Sequence, residues 1–210
     1  MIKELNVSGT EIEVKFTVSD KATFAALKKV TRLGDFQLKP VGTKSIVDRY
    51  LDTPHKHILK AGYACRVRRV KHKQILTLKS LSPPEGSIHR RQEIEEEVDT
   101  DRPEGWPPGK AKDLVQTIAG QDSIRLLFII YQTRHVYHVL SRGMPIIELS
   151  LDEVSLDDVS KVDFMELEVE LLPDGNEADL ARLVATLQDN WPLQLETKSK
   201  FERALARLIL

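Results

Sequence analysis

The sequence predicts a mainly antiparallel β fold of the α+β class, closed into a barrel with a charged interior and helices packed on its outside. Three observations carry this expectation. Eight stretches read as strands, the helical stretches are few and interleave irregularly with them, and strand after strand sets its charged residues on one face. A regular strand–helix alternation would instead point to a doubly wound parallel sheet.

The strand candidates are residues 11–18, 44–52, 63–71, 73–80, 90–98, 126–140, 145–154 and 163–172. Turn residues separate several of them: Pro83, Pro84 and Gly86, then Gly143, then Pro173, Asp174 and Gly175. Phe24, Leu27, Val30 and Leu33 recur at helical spacing, with Gly34 as a C-terminal stop. Leu180, Leu183, Val184 and Leu187 mark a second helix, and Phe201, Leu205, Leu208 and Ile209 a third. A shorter helix spans 110–119 and stops at Gly120. The stretch DTDRPEGWPPG, residues 99–109, reads as a loop, because strand-like segments of one character lie on both sides. Residues 1–210 are therefore expected to form a single domain.

The net charge of −1 gives no bulk attraction to nucleic acid or to a membrane. Cys65 is the only cysteine, which excludes an intrachain disulfide and a Cys-rich zinc site. No apolar run approaches the roughly 20 residues of a membrane span. Residues 1–10 lack the apolar stretch of a signal peptide, so a cytoplasmic protein is expected.

Side chains alternate between the two faces of a strand, so residues two apart are neighbours. In EIEVKF, Glu11, Glu13 and Lys15 share one face while Ile12, Val14 and Phe16 share the other. The pattern returns in Arg66 with Arg68, in Thr77 with Lys79, and in Arg91 with Glu93, Glu95 and Glu97. It returns again in Glu148 with Asp152, and in Glu166 with Glu168 and Glu170. For one strand alone, a solvated sheet face accounts for such alternation. Taken together the strands argue otherwise. Carboxylates in a row repel one another, basic and acidic residues gather on different strands, and the apolar faces need the amphipathic helices as cover. A charged interior is stable only when water, metal or a charged ligand fills it, because unpaired buried charge is very costly. Clustered carboxylates without cysteine suit Mg²⁺ or Mn²⁺. Clustered Arg and Lys suit phosphate, and both sets together suit a metal-bound polyphosphate.

A series of segments then falls in a familiar order: EIEVK (11–15), YLDT (50–53), CRVR (65–68), TLK (77–79), RQEIE (91–95), QTR (132–134), ELSLDEV (148–154), ELEVEL (166–171) and KSKFERAL (198–205). The series resembles the CYTH superfamily, the triphosphate tunnel metalloenzymes, from Glu11 to about Leu205. The resemblance implies an eight-stranded antiparallel tunnel open at both ends, with a triphosphate inside and a divalent metal. By position it implies phosphate grips at Lys15, Arg66, Arg68, Lys79, Arg91 and Arg134. It implies metal ligands at Glu11, Glu13, Asp152, Glu168 and Glu170, with Glu166 on the same face as an alternative. Some of these carboxylates would also orient the attacking water, and Glu11, Glu13 and Lys200 form the implied catalytic set. Lys200 matches the C-terminal lysine of the pattern better than Lys198, which is kept as a phosphate-binding candidate.

The implied activity is hydrolysis of a triphosphate with Mg²⁺ or Mn²⁺, inorganic tripolyphosphate first, giving pyrophosphate and orthophosphate. A class IV-type adenylate cyclase and a thiamine triphosphatase are the alternatives, and Tyr50, Tyr63 and Tyr131 keep a base-stacking site open. A non-catalytic polyphosphate-binding module is the reading from another class; the carboxylates argue against it. The expected partner is a small polyphosphate or a nucleoside or thiamine triphosphate, with no nucleic acid and no membrane, and a homodimer is left open. His55 and His57 read as a surface loop or helix start rather than as metal ligands. His135 and His138 fall on opposite faces, and Trp106 and Trp191, beside prolines, read as packing residues.

Overall fold

The computed structural model describes residues 7–208, with side chains from Thr10 onward; the helical position Ile209 lies outside the described residues. In chain order the elements are β1 (Val7–Val18), α1 (Lys21–Leu27), β2 (Arg32–Leu33), β3 (Phe36–Asp52), α2 (His57–Lys60), β4 (Tyr63–Val70) and β5 (Lys73–Ser80). There follow β6 (His89–Val98), α3 (Lys110–Ala119), β7 (Arg125–Ser141), β8 (Met144–Leu156), β9 (Phe164–Leu171), α4 (Glu177–Asn190), β10 (Gln194–Leu195) and α5 (Lys200–Leu208).

Eight strands close into an antiparallel barrel in the order β1-β6-β5-β4-β3-β7-β8-β9, with β9 pairing back onto β1. The two-residue strands β2 and β10 add short pairings to β3 and β1. Closure sets Val14 opposite Val169 and Phe16 opposite Leu167, while Glu11 stands opposite Arg91 across the other edge. A slip of one residue would turn every one of these side chains to the wrong face, so burial specifies the register. The β7–β8 hairpin turns on Arg142 and Gly143, both at positive φ (50° and 83°), the pair of left-handed residues that a two-residue hairpin loop favours.

Two apolar layers lie outside the barrel wall. Val14, Phe16, Val18, Leu149, Leu151, Leu167 and Val169 pack under Phe24 and Leu27 of α1 and Leu180, Leu183, Val184 and Leu187 of α4. Each fully buried leucine of α4 contributes roughly 1.5–3 kcal/mol by leaving water. Val67, Leu76 and Leu78 pack under Ile58 of α2, Ala111 and Val115 of α3, and Trp106. The YLDT segment anchors the turn into α2. The Asp52 carboxylate accepts backbone N–H bonds from Thr53, Ile58 and Leu59 at 2.7, 2.9 and 3.0 Å, and Thr53 Oγ1 accepts one from His57.

Two expectations change. The first helix ends at Leu27, and Leu33 lies in β2, paired with Phe36 across a turn at Gly34 (φ 56°). Gly34 thus serves a hairpin turn and not a helix stop. The strand expected over 44–52 begins at Phe36, and its first half carries a register shift between Pro40 and Gly42, where proline has no N–H for the ladder. The inward side of the wall also carries apolar residues. Tyr50, Ala64, Phe128, Ile130 and Val154, on the same faces as the inward charges, meet Phe201 and Ala204 of α5. The Tyr50 ring lies 5.3 Å from Phe128 and 5.1 Å from Phe201, centroid to centroid. An apolar cluster therefore packs the start of α5 against the inward side of the barrel wall.

Candidate active site

The inward positions of the wall meet around one cavity. Glu11, Glu13, Lys15, Arg66, Arg68, Lys79, Arg91, Arg134, Glu168 and Lys200 line it, together with Tyr50 and Phe201 of the apolar cluster. Strand alternation brings all but the α5 residues there; Lys200 arrives on the first turn of α5 and is buried. Lys198 is exposed and stands apart from this set. Glu170 shares the inward face of β9, opposite Glu13 on β1 and Glu148 on β8.

Asp152 and Glu166 are fully buried and held by protein cations. Arg134 donates from Nε and Nη2 to both Asp152 oxygens, at 2.8 and 2.6 Å, and also to Glu168. The Lys200 ammonium reaches Asp152 at 2.9 Å, Glu166 at 2.8 Å and Glu168 at 2.6 Å. Arg203 of α5 closes the group, donating to Glu166 at 2.9 Å while stacking over the Phe164 ring at 3.6 Å. Burial raises Glu168, yet Lys200 and Arg134 outweigh it and hold the carboxyl well below its usual range. Burial dominates at Glu166, where the Lys200 contact offsets only part, and the group sits near 6.

The opposite wall is less completely paired. Lys79 donates to Glu11, whose carboxyl is still raised by burial and by Glu13. Glu13 also loses water, but Lys79 and Lys15 bring it down to about 2, so it is ionised. Its Oε1 accepts no hydrogen bond: Lys15, Lys79 and Arg91 stand at 3.3, 3.7 and 3.8 Å. Arg66 Nε and Arg91 Nε are buried donors without acceptors among the described residues. Unsatisfied acceptor and unsatisfied donors on one cavity wall match a cation and an anion bound together. An all-oxygen carboxylate group here fits a hard divalent ion.

Glu170 has no ion-pair partner among the described residues. Burial and then Glu11, Glu13, Glu168 and Glu148 push it up to about 8. A carboxyl raised above its ordinary 4.5 binds a proton more tightly when folded, so its contribution to stability is present at low pH and lost as pH climbs through 8. In EDTA, the melting temperature is expected to fall between pH 5.5 and 8.5, and Glu170→Gln should flatten that slope. Parallel melting curves for the two proteins over this range would remove Glu170 from the repulsive cluster.

Several side chains of the site were not singled out from the sequence. Asp48 is fully buried and accepts from Arg68 Nε and Nη2 at 2.7 and 2.8 Å and from Gln132 at 2.6 Å. The same alternation that picked out Glu11 would have found it, two residues before Tyr50. His89 is buried beside Glu13 in the β1–β6 register, and Arg91 Nη2 donates to its Nδ1 at 2.8 Å. Its Nε2 then donates to the Glu196 carbonyl at 3.3 Å. Burial, with Lys15 and Arg91 close by, holds His89 at about 4, hence neutral and able to accept from Arg91. Only the folded pairing reveals these contacts.

A CYTH domain family model matches residues 9–205. The chain belongs to the CYTH family. Among solved structures, this CYTH protein is similar to a putative adenylyl cyclase from Hippeastrum described as having a dominant triphosphatase activity. The identity is 22%, the match covers 95% of this chain and 97% of that one, and the TM-score is 0.72. A putative adenylate cyclase from Bacillus halodurans matches at 20% identity over 92% and 96% of the two chains, with a TM-score of 0.64. A protein from Pyrococcus horikoshii matches at 20% identity over 94% and 99%, with a TM-score of 0.61. At these identities the likeness establishes the shared fold. No curated protein matches the chain. Among the described residues, no helix is long and apolar enough to cross a membrane.

Proposed function

We propose that this CYTH protein hydrolyses a triphosphate, inorganic tripolyphosphate before any nucleotide, with Mg²⁺ or Mn²⁺ bound by Glu11, Glu13, Glu168 and Glu170. The observation that carries this reading is the cavity wall itself, where Glu13 Oε1 lacks a donor while Arg66 Nε and Arg91 Nε lack acceptors. Lys15, Arg66, Lys79, Arg91 and Arg134 would neutralise the phosphate oxygens, with Arg offering forked donors and Lys a point charge. Asp152 and Glu166, committed to Arg134, Lys200 and Arg203, hold those cations in place from behind. A bound divalent ion supplies charge neutralisation at the phosphate oxygens. The carboxylates of β1 orient a water for attack on the terminal phosphorus. The bond from that phosphorus to its bridging oxygen breaks, and pyrophosphate leaves with the electron pair. The cations beside it stabilise that charge, as phosphoryl transfer requires.

The inorganic substrate is favoured over ATP by the three tyrosines that kept a base-stacking site open. Tyr50 is packed between Phe128 and Phe201, Tyr63 packs on the outer layer with Trp106, and Tyr131 alternates with the inward Ile130 and Gln132. Tyr50 borders the cavity but is buried against those two rings, and Tyr63 and Tyr131 do not line it. The test is a panel of tripolyphosphate, ATP and thiamine triphosphate with Mg²⁺ or Mn²⁺, read by phosphate release and by chromatography for cyclic AMP. Phosphate from tripolyphosphate, abolished by EDTA, is the expected result. Cyclic AMP as the main product from ATP, with tripolyphosphate intact, would overturn it for the cyclase; faster turnover of thiamine triphosphate would move the substrate assignment there.

A further inference from the structure

We propose that His55, His57 and Asp122 form a second metal site, outside the cavity, for a divalent transition ion of the zinc and nickel class. None of the three lines the central cavity. The sequence offers two imidazoles two residues apart, which an extended chain would set on one face about 7 Å apart. The fold draws them closer by turning the chain between them. Lys56 between them adopts the left-handed conformation (φ 55°, ψ 45°), uncommon for a residue other than glycine. This turn leaves the two rings stacked, 5.7 Å apart and 25° from parallel.

Asp122 then arrives from the loop between α3 and β7 as a third donor. His55 Nδ1 lies 2.8 Å and His57 Nδ1 3.6 Å from the same oxygen, Asp122 Oδ2. One ligand atom from each residue lies within 4.8 Å of the other two. The platform beneath is rigid. The buried Asp52 carboxylate takes three backbone N–H groups of the turn, Thr53 Oγ1 takes that of His57, and Ile58 is sealed into the outer core. On the other side, the Asp122 N–H is held by the Ala119 carbonyl at 3.1 Å, at the end of α3. Preorganised donors lose little freedom on binding, which is how a site acquires affinity.

The donor set decides the ion. Two imidazoles and a carboxylate suit Zn²⁺, Ni²⁺ or Cu²⁺, with water completing the shell on the exposed side. The cavity's carboxylates suit Mg²⁺ or Mn²⁺ instead. The outer ion would bridge the turn before α2 to the loop after α3, bracing two loops without touching the phosphate-binding wall.

The experiment follows histidine ring signals by ¹H–¹³C NMR on the full chain in excess Mg²⁺, which keeps the cavity carboxylates engaged, while Zn²⁺ is added. The signals of His55 and His57, assigned from single variants, should move together and be complete near about one equivalent of Zn²⁺. The melting temperature should rise with Zn²⁺, since the ion binds the folded chain. His55→Asn with His57→Asn should abolish that rise while tripolyphosphate hydrolysis in Mg²⁺ stays at the wild-type rate. Asp122→Asn should weaken Zn²⁺ binding by roughly tenfold or more. Unmoved His55 and His57 signals in the wild-type protein, or an undiminished Zn²⁺ effect in the double variant, would reduce the cluster to a hydrogen-bonded clasp.

Discussion

Glu168→Gln is expected to lower the turnover of tripolyphosphate by about 10²–10³-fold, the loss that follows removal of one charged or hydrogen-bonding group from a preorganised site. The expectation depends on the protein staying folded, and the pairing around Glu168 provides for that. Arg134 keeps both Asp152 oxygens and Lys200 keeps Asp152 and Glu166 when Glu168 is neutralised. Among the described residues, neither Arg134 nor Lys200 is left without a counter-charge. Steady-state kinetics beside a melting curve measures both halves of the claim. An unchanged rate would return Glu168 to a purely structural role among the cations of α5 and β7.

Arg68→Ala is expected to fail in the opposite manner, through the fold. Asp48 is fully buried, and Arg68 grips both of its oxygens. Removing one partner of a buried pair costs about 3–5 kcal/mol, because the other charge stays behind. Burial raises Asp48, but Arg68 and Arg66 hold it at about 2, against an ordinary 3.8. A depressed carboxyl contributes stability above its unfolded value and loses it as pH falls through the folded one. The deficit of Arg68→Ala should therefore be steady from pH 5 to 8 and shrink in acid. Urea unfolding without ligand measures it. A deficit below about 0.5 kcal/mol, the range of an exposed charge, would mean that Arg66 and Gln132 satisfy Asp48 without Arg68. The same pairing makes Arg91 the cleaner probe of phosphate binding, since its loss leaves Glu13 with Lys15 and Lys79.

Alternation was legible because it is local. Glu11, Glu13 and Lys15, then Glu166, Glu168 and Glu170, declare their common face at a period of two whatever the rest of the chain does. The barrel's charged lining followed from that alone. The apolar cluster around Tyr50 did not, because Tyr50, Phe128 and Phe201 come from distant segments and only the folded chain brings them together. The first helix was over-extended for a related reason: Val30 and Leu33 keep helical spacing, but pairing of Leu33 with Phe36 wins over local preference. The start of β3 was hidden by Pro40 and Gly42, residues that read as turn. Between Lys198 and Lys200, spacing could not choose; the first turn of α5 does, by carrying Lys200 inward.

The closure of β1 onto β9 has a consequence for how the chain reaches this state. The neighbours of β1, namely β6, β9 and the short β10, are all synthesised well after it, so β1 waits as an unpaired strand with Ile12, Val14, Phe16 and Val18 along one side. Pairings between such distant segments form slowly, and an idle apolar strand is a template for self-association. Glu11, Glu13 and Lys15 on its other side act meanwhile as gatekeepers, since like-charged strands resist stacking into a shared sheet. The charges that line the finished cavity thus serve the nascent chain before there is any cavity to line.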